Sequence, residues 1–231
     1  MVETGLDAVR TATDGRGEVC MASRRTYLAG LTALALLPAG TVLAQAKSPV
    51  RPDDMTLGNP KAKVVVVEYA SLSCPHCAAF HKSVFPAFRK KYIDSGKVLF
   101  VFREFVTPPP QLAIPATMLA RCAGKQNYFT VVERVFAAQD GIYKDGTIEG
   151  LQKTLKGIGA GVGVDEKRYD ACMNDQAAFD ALKARIETAS NLDGVRGTPT
   201  FYVNGVLVKQ TAGEMDLATL DKAIAAAAKR K

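Results

Sequence analysis

Histidine is scarce in this sequence: His76 and His81 are the two in 231 residues, against five cysteines. No second Cys or His pair stands at ligand spacing from Cys74 and Cys77, as a zinc knuckle requires. Ala78, not His, follows Cys77, so the pattern of covalent haem attachment is absent. Lys and Arg do not gather into a dense cluster interleaved with aromatics, so the net charge of +7 lacks the footprint of a nucleic-acid binder. It reads as a basic surface that favours solubility or loose attraction to anionic partners. There is no internal repeat and no low-complexity tract beyond an alanine-rich C-terminal stretch, which excludes solenoid arrays. With 48% hydrophobic and 23% charged residues the chain is not disordered as a whole. Its length suits one globular domain, or one domain with a sizeable insertion.

What is present begins with a leader. From Met21 the order is a basic segment with adjacent Arg24 and Arg25, an apolar stretch from Leu28 to Leu43, and the small-residue ending Ala44-Gln45-Ala46. That is the order of a cleavable export signal over residues 21–46. Pro38, Gly40 and the Ala-x-Ala ending favour cleavage over an uncleaved membrane anchor. Ser23-Arg24-Arg25-Thr26-Tyr27-Leu28 resembles the twin-arginine export signal, with Ala29 where Lys is frequent. Residues 1–20 fit no signal pattern and read as a non-native upstream extension, with Met21 as the natural start. Residues 1–46 carry four basic (Arg10, Arg16, Arg24, Arg25) and four acidic residues (Glu3, Asp7, Asp14, Glu18), so their removal leaves the charge at +7. Export implies an oxidising compartment, where the four remaining cysteines, Cys74, Cys77, Cys122 and Cys172, allow three pairings.

Residues 47–60, with three prolines and no apolar period, read as an extended linker, and the fold is expected to start near Lys61. Val64 to Ala70 is a β-branched run apolar on both faces, the pattern of a strand inside a covered sheet, with Glu68 as its exception. Phe80, Val84, Phe88 and Tyr92 mark one helix face, kinked at Pro86 and ended by Gly96. Lys97 to Phe105 is a second buried strand, completing a parallel strand–helix–strand unit. Pro108-Pro109-Pro110 and Pro115 make a stiff entry to helical patterns over Ala116 to Leu155. Gly157 to Gly163 reads as a turn between helices, Asp165 to Met173 as a short helix, and Phe179 to Leu192 as a longer one. Gly194 to Lys209 returns to strand, with Asn204-Gly205 as a hairpin turn, and a helix over Leu217 to Lys229 closes the chain. The order is βαβ, a helical block, then ββα. If both halves share one sheet, the helical block is an insertion.

Cys74-Pro75-His76-Cys77 falls between a buried strand and a helix start. Unpaired backbone N–H groups and the helix dipole there favour an anion, which for Cys74 is a thiolate. Pro75 sits in the first turn, where a missing N–H costs nothing, and His76 can add a positive or hydrogen-bonding partner. Cys77, less exposed, would attack any mixed disulfide formed at Cys74.

Glu68 to Cys77, together with Gly194-Val195-Arg196-Gly197-Thr198-Pro199-Thr200-Phe201, resembles the DsbA family of periplasmic disulfide oxidoreductases over roughly Asp54 to Lys229. The resemblance implies an α/β thioredoxin fold with an inserted α-helical domain. Residues 61–106 and 179–231 would form the two parts of that fold, and 107–178 the insertion. It implies Cys74 as nucleophile, Cys77 as resolving thiol, His76 as stabiliser of the thiolate, and Pro199 as a cis-proline turning the Thr198 backbone towards an extended substrate. Glu68 matches the family's buried acid near the resolving cysteine; its expected raised pKa would let it shuttle the Cys77 proton. Cys122 and Cys172 would form a second, structural disulfide, closing a loop of about 50 residues for roughly 4 kcal/mol in the chain-entropy model. No cofactor or metal is implied.

The implied activity is dithiol oxidation of reduced or unfolded exported proteins in the periplasm, with electrons passed to a DsbB-like membrane partner. Thr198 departs from the Val of the best-known oxidases and resembles the choice in disulfide isomerases, which keeps an isomerase or reductase open. Those isomerases use an N-terminal dimerisation domain that residues 47–60 are too short to supply, so a monomer is expected. A metal-binding or chaperone-like module using the same thiols is the remaining alternative.

Overall fold

The computed structural model describes residues 50–210 and 214–230. The upstream extension 1–20, the export signal 21–46 and linker residues 47–49 lie outside them.

Two adjacent parallel strands form the centre: β2 (Val64–Ala70) pairs with β3 (Val98–Glu104) in the register Val64 to Val98. All seven residues of each are buried, which is why both read as continuous apolar runs instead of alternating ones. Against the other edge of β2 runs antiparallel β4 (Thr200–Val203), extended by β5 (Val206–Leu207) through a two-residue turn. Asn204 and Gly205 both take positive φ there (46° and 78°), as a type I′ turn demands.

The outer neighbour of β3 is β1 (Met55–Gly58), antiparallel to it, which gives the order β1-β3-β2-β4-β5 among the described residues. This corrects the reading of 47–60 as a linker. The segment is fastened by its ladder with β3 and the buried Met55, and also by charge, which apolar periodicity does not register. Arg103 of β3 donates from Nε and Nη2 to the two Asp54 oxygens, 2.8 Å each, and Arg51 pairs with Asp193 at 2.6 Å.

Helix α1 (Pro75–Ser83) is followed by the short α2 (Phe85–Phe88) and a π-helical turn (Arg89–Ile93). The expected kink falls at Val84, which stays in the right-handed helical region at φ −110° and ψ −43°, because Pro86 cannot donate to the preceding turn. The proline-rich entry also differs: α3 (Pro110–Cys122) begins at the last proline of the triplet and continues through Pro115. After α4 (Tyr128–Asp145), α5 (Ile148–Ala160) absorbs Gly157 and Gly159, which were expected in a turn. Gly159 is buried where a Cβ would stand 3.2 Å from Leu119 Cδ1 and 3.3 Å from the Val164 carbonyl, so close packing, not a bend, accounts for that glycine. Helix α6 (Glu166–Met173) follows, then α7 (Gln176–Asn191), starting before the expected Phe179 because Asp175 caps it, and finally α8 (Leu217–Lys229).

Alternate residues of the central strands feed two cores. Val66, Phe100, Phe102, Phe201 and Val203 join α1, α4 and α8 on one face; Val65, Val67, Tyr69, Leu99 and Val101 meet Ala189 of α7 and Val195 on the other. Each fully buried Phe contributes on the order of 1.5–3 kcal/mol of transfer free energy. Glu68 shares the first face, directly between Phe102 and Phe201 in the strand register.

Candidate active site

Cys74 is the N-cap residue of α1, extended at φ −81° and ψ 120°, with Pro75 opening the helix. Its backbone N–H donates to Ser71 O at 2.9 Å, closing the turn out of β2. Helix α4 grips the same turn from the other side. Gln139, buried, donates to Leu72 O at 3.0 Å and to Cys74 O at 3.4 Å, and the Tyr143 hydroxyl donates to Ser73 O. Ser73 Oγ in turn donates to Thr107 O at 2.8 Å. The nucleophile is therefore held by three separate segments, which fixes its sulfur without a regular strand or a full helical turn around it.

The two thiols are free, and Cys77 is the more deeply buried at 0% exposure against 5% for Cys74. Their acidities diverge. The hydrogen bond from the Cys77 thiol is the largest effect on Cys74; with the Thr198 hydroxyl and the backbone N–H groups of Cys77 and His76 it outweighs burial and lowers its pKa from 9.0 to about 5. Burial first, then the Cys74 thiol and the charge of Glu68, push Cys77 well above the ordinary value. The arrangement can thus present one ionised and one protonated sulfur at neutral pH, which is what stepwise disulfide exchange requires.

From far along the chain, Thr198 and Pro199 close over this pair. Cys74 Sγ donates to Thr198 O at 3.3 Å, and the Thr198–Pro199 bond is cis. The Pro199 carbonyl accepts from Gln210 Nε2 at 2.9 Å. His76 takes a different place from the expected one. Its ring is 63% exposed with Nδ1 3.5 Å from Glu214 Oε1, and what His76 directs at the sulfur is its backbone N–H. Glu68 lies in a central strand, fully buried, with Oε2 2.9 Å from His81 Nε2. Cys122 and Cys172 lie away from the site, joined by a disulfide between the end of α3 and α6 with Cα atoms 6.1 Å apart. Among the described residues no group of three or more His, Cys, Asp or Glu is placed to hold a metal ion.

His81, Gln139 and Tyr143 were not anticipated as part of the site. In the sequence His81 bears only on the zinc question, as a lone histidine without a second ligand pair, although four residues beyond Cys77 it shares that residue's helix face. Nothing local points to Gln139 or Tyr143; their spacing of four on α4 only says that they face the same way.

Comparison with known proteins agrees with this geometry. The family model described as Thioredoxin matches residues 51–226. Wolbachia pipientis alpha-DsbA1, in its crystal structure, is 30% identical with a TM-score of 0.65, over 78% of this chain and 94% of that one. The chain belongs to the DsbA family of thiol-disulfide oxidoreductases. The fold is accordingly the thioredoxin fold, with the helices from α3 to α6 standing between β3 and α7. A protein-disulfide oxidoreductase of Rickettsia felis is 37% identical over 172 residues, 74% of this chain. The match spans only 60% of that relative's length. A structure titled protein-disulfide isomerase from Novosphingobium aromaticivorans is 25% identical, with a TM-score of 0.65 over 77% of this chain and 98% of that one.

Proposed function

We propose that this DsbA-family chain is a monomeric dithiol oxidase of the periplasm, introducing disulfides into reduced or unfolded exported proteins through Cys74 and Cys77. The observation that carries this reading is the split between the two thiols: Cys74 lowered to about 5 and Cys77 raised. Stabilising a thiolate stabilises the reduced form, which makes the disulfide form the stronger oxidant. A substrate thiolate attacks Cys74 Sγ, and Cys77 departs. A second substrate thiolate then attacks the substrate sulfur of the mixed disulfide, and Cys74 departs as the stable thiolate. Thr198 and Pro199 line the approach to Cys74 and receive an extended substrate segment, Glu68 handles the Cys77 proton, and Cys122–Cys172 staples the helical insertion. Electrons leave to a DsbB-like membrane partner. Export rests on the signal pattern of residues 21–46.

Thr198 favours a second reading, an isomerase or reductase on the same site, and the Novosphingobium relative bears an isomerase title. Equilibrium titration of Cys74–Cys77 against glutathione separates the two. The oxidase reading expects a potential near that of DsbA, about −120 mV, and a value near that of thioredoxin, about −270 mV, would replace it with a reductase. In the same assay series Cys74→Ser abolishes oxidation of a dithiol peptide; retained oxidation would reject the mechanism.

A further inference from the structure

Cys77 must gain a proton when the disulfide opens and lose one when it closes. During both events a mixed disulfide occupies Cys74, so the attached polypeptide covers the front of the site. Cys77 is fully buried, and so is Glu68, the acid whose charge acts on it. Behind Glu68 stands His81, with Nε2 2.9 Å from Glu68 Oε2 and a side chain 2% exposed. Glu68 Oε1 and His81 Nδ1 are both buried without a protein hydrogen-bond partner, so each end of the pair keeps an unused donor or acceptor position. Phe85 and Phe136 hold the imidazole between them, both ring centroids 4.6 Å away.

His81 also lines a cavity of about 290 Å³ where α1, α2 and the π-helical turn meet α4. The charged groups there are already paired: Lys82 with Asp140 at 2.6 Å, and Arg89 with Glu133 at 3.0 Å. From β3 the Phe102 ring faces the imidazole, centroids 6.0 Å apart. The carboxylate in contact with the imidazole is therefore Glu68, so His81 stands between the cavity it lines and the buried acid whose charge acts on Cys77.

We propose that His81 is the outlet of a proton path from Cys77 through Glu68 to this rear cavity, open while substrate covers Cys74. The proposal rests on the disulfide-exchange reading above. On opening, the attacking thiolate bonds to Cys74 Sγ, the Cys74–Cys77 bond breaks with its electron pair on Cys77, and a proton from cavity water passes through His81 and Glu68 to that sulfur. On closing, Cys77 gives its proton back by the same route and attacks Cys74 Sγ, and the other sulfur leaves as a thiolate.

The test follows the reduced full chain reacting with a chromogenic aromatic disulfide. Attack by Cys74 releases a first equivalent of chromophore, and closure by Cys77 releases a second. His81→Gln, which keeps a hydrogen-bonding group but cannot relay a proton at neutral pH, and His81→Ala leave the first phase intact and slow the second about 10²-fold. Added imidazole restores the second phase of His81→Ala, whereas pyrazole, of the same shape but a much weaker base, does not. A second phase at the wild-type rate in His81→Gln, or equal rescue by pyrazole, would overturn the proton path and leave the exchange reading standing. Absence of the first phase from the wild-type chain would instead reject the exchange reading itself.

Discussion

Cys74 Sγ donates to the carbonyl oxygen of Thr198 at 3.3 Å, joining residues 124 positions apart at the head of α1 and in the turn that leads into β4. The Thr198 hydroxyl beside it is buried and without a protein partner while Cys74 is a thiol. Once the proton leaves, that hydroxyl is a donor to the thiolate, and it is among the groups that lower the Cys74 pKa. Thr198→Val keeps the shape and removes the donor. It raises the Cys74 pKa by about one pH unit, the worth of one hydrogen bond, as read by thiolate absorbance against pH.

His76 and Cys77 make unequal contributions. The Cys77 thiol is the largest stabiliser of the Cys74 thiolate, whereas the His76 ring is exposed and turned to Glu214. Cys77→Ala therefore raises the Cys74 titration midpoint further than His76→Ala, which retains the backbone N–H. A larger effect from His76→Ala would show that the imidazole, not the amide, holds the charge.

The lowered Cys74 value also makes stability depend on pH in one redox form only. The unfolded chain binds a Cys74 proton that the folded reduced chain has lost, so stability rises with pH between about 5 and the ordinary 9.0. That contribution is fully present above 9.0 and disappears as pH falls through about 5. Cys77, pushed upward, is protonated in both states over most of the window and adds no slope there; as pH nears 9.0 its unfolded thiol ionises while the folded one does not, which begins to oppose the gain. Urea unfolding of the reduced chain should gain on the disulfide form as pH rises through this range; parallel curves would contradict the assignment.

The Cys122–Cys172 bridge closes a separation of 50 residues between the end of α3 and α6, elements that carry neither reacting sulfur. Replacing both cysteines by Ala costs about 4 kcal/mol in the chain-entropy model, read as a lower urea midpoint. The rates of exchange at Cys74 stay as they were.

Much of this was legible in the sequence wherever one local signal sufficed. Val64–Ala70, Val98–Glu104, the Asn204-Gly205 turn and α8 are each specified by their own residues, and Cys74 by its place between strand and helix. β1 was missed because it is four residues long and its segment is held by Arg51, Asp54 and Arg103. Gly159 misled because a glycine serving close packing looks the same as one serving a turn. The grip of α4 could not be read, since Gln139 and Tyr143 lie 67 and 70 positions from the carbonyls they bond. His81 was visible as a helix-face neighbour of Cys77, but its partner Glu68 is set by the packing of α1 on the sheet.

The most direct measurement is the rate of Cys74 alkylation by iodoacetamide across the acid range, in the reduced chain. The thiolate alone reacts, so the rate follows its population. A midpoint near pH 5 is the predicted result. A midpoint near 9.0, that of an ordinary thiol, would contradict the account at its base.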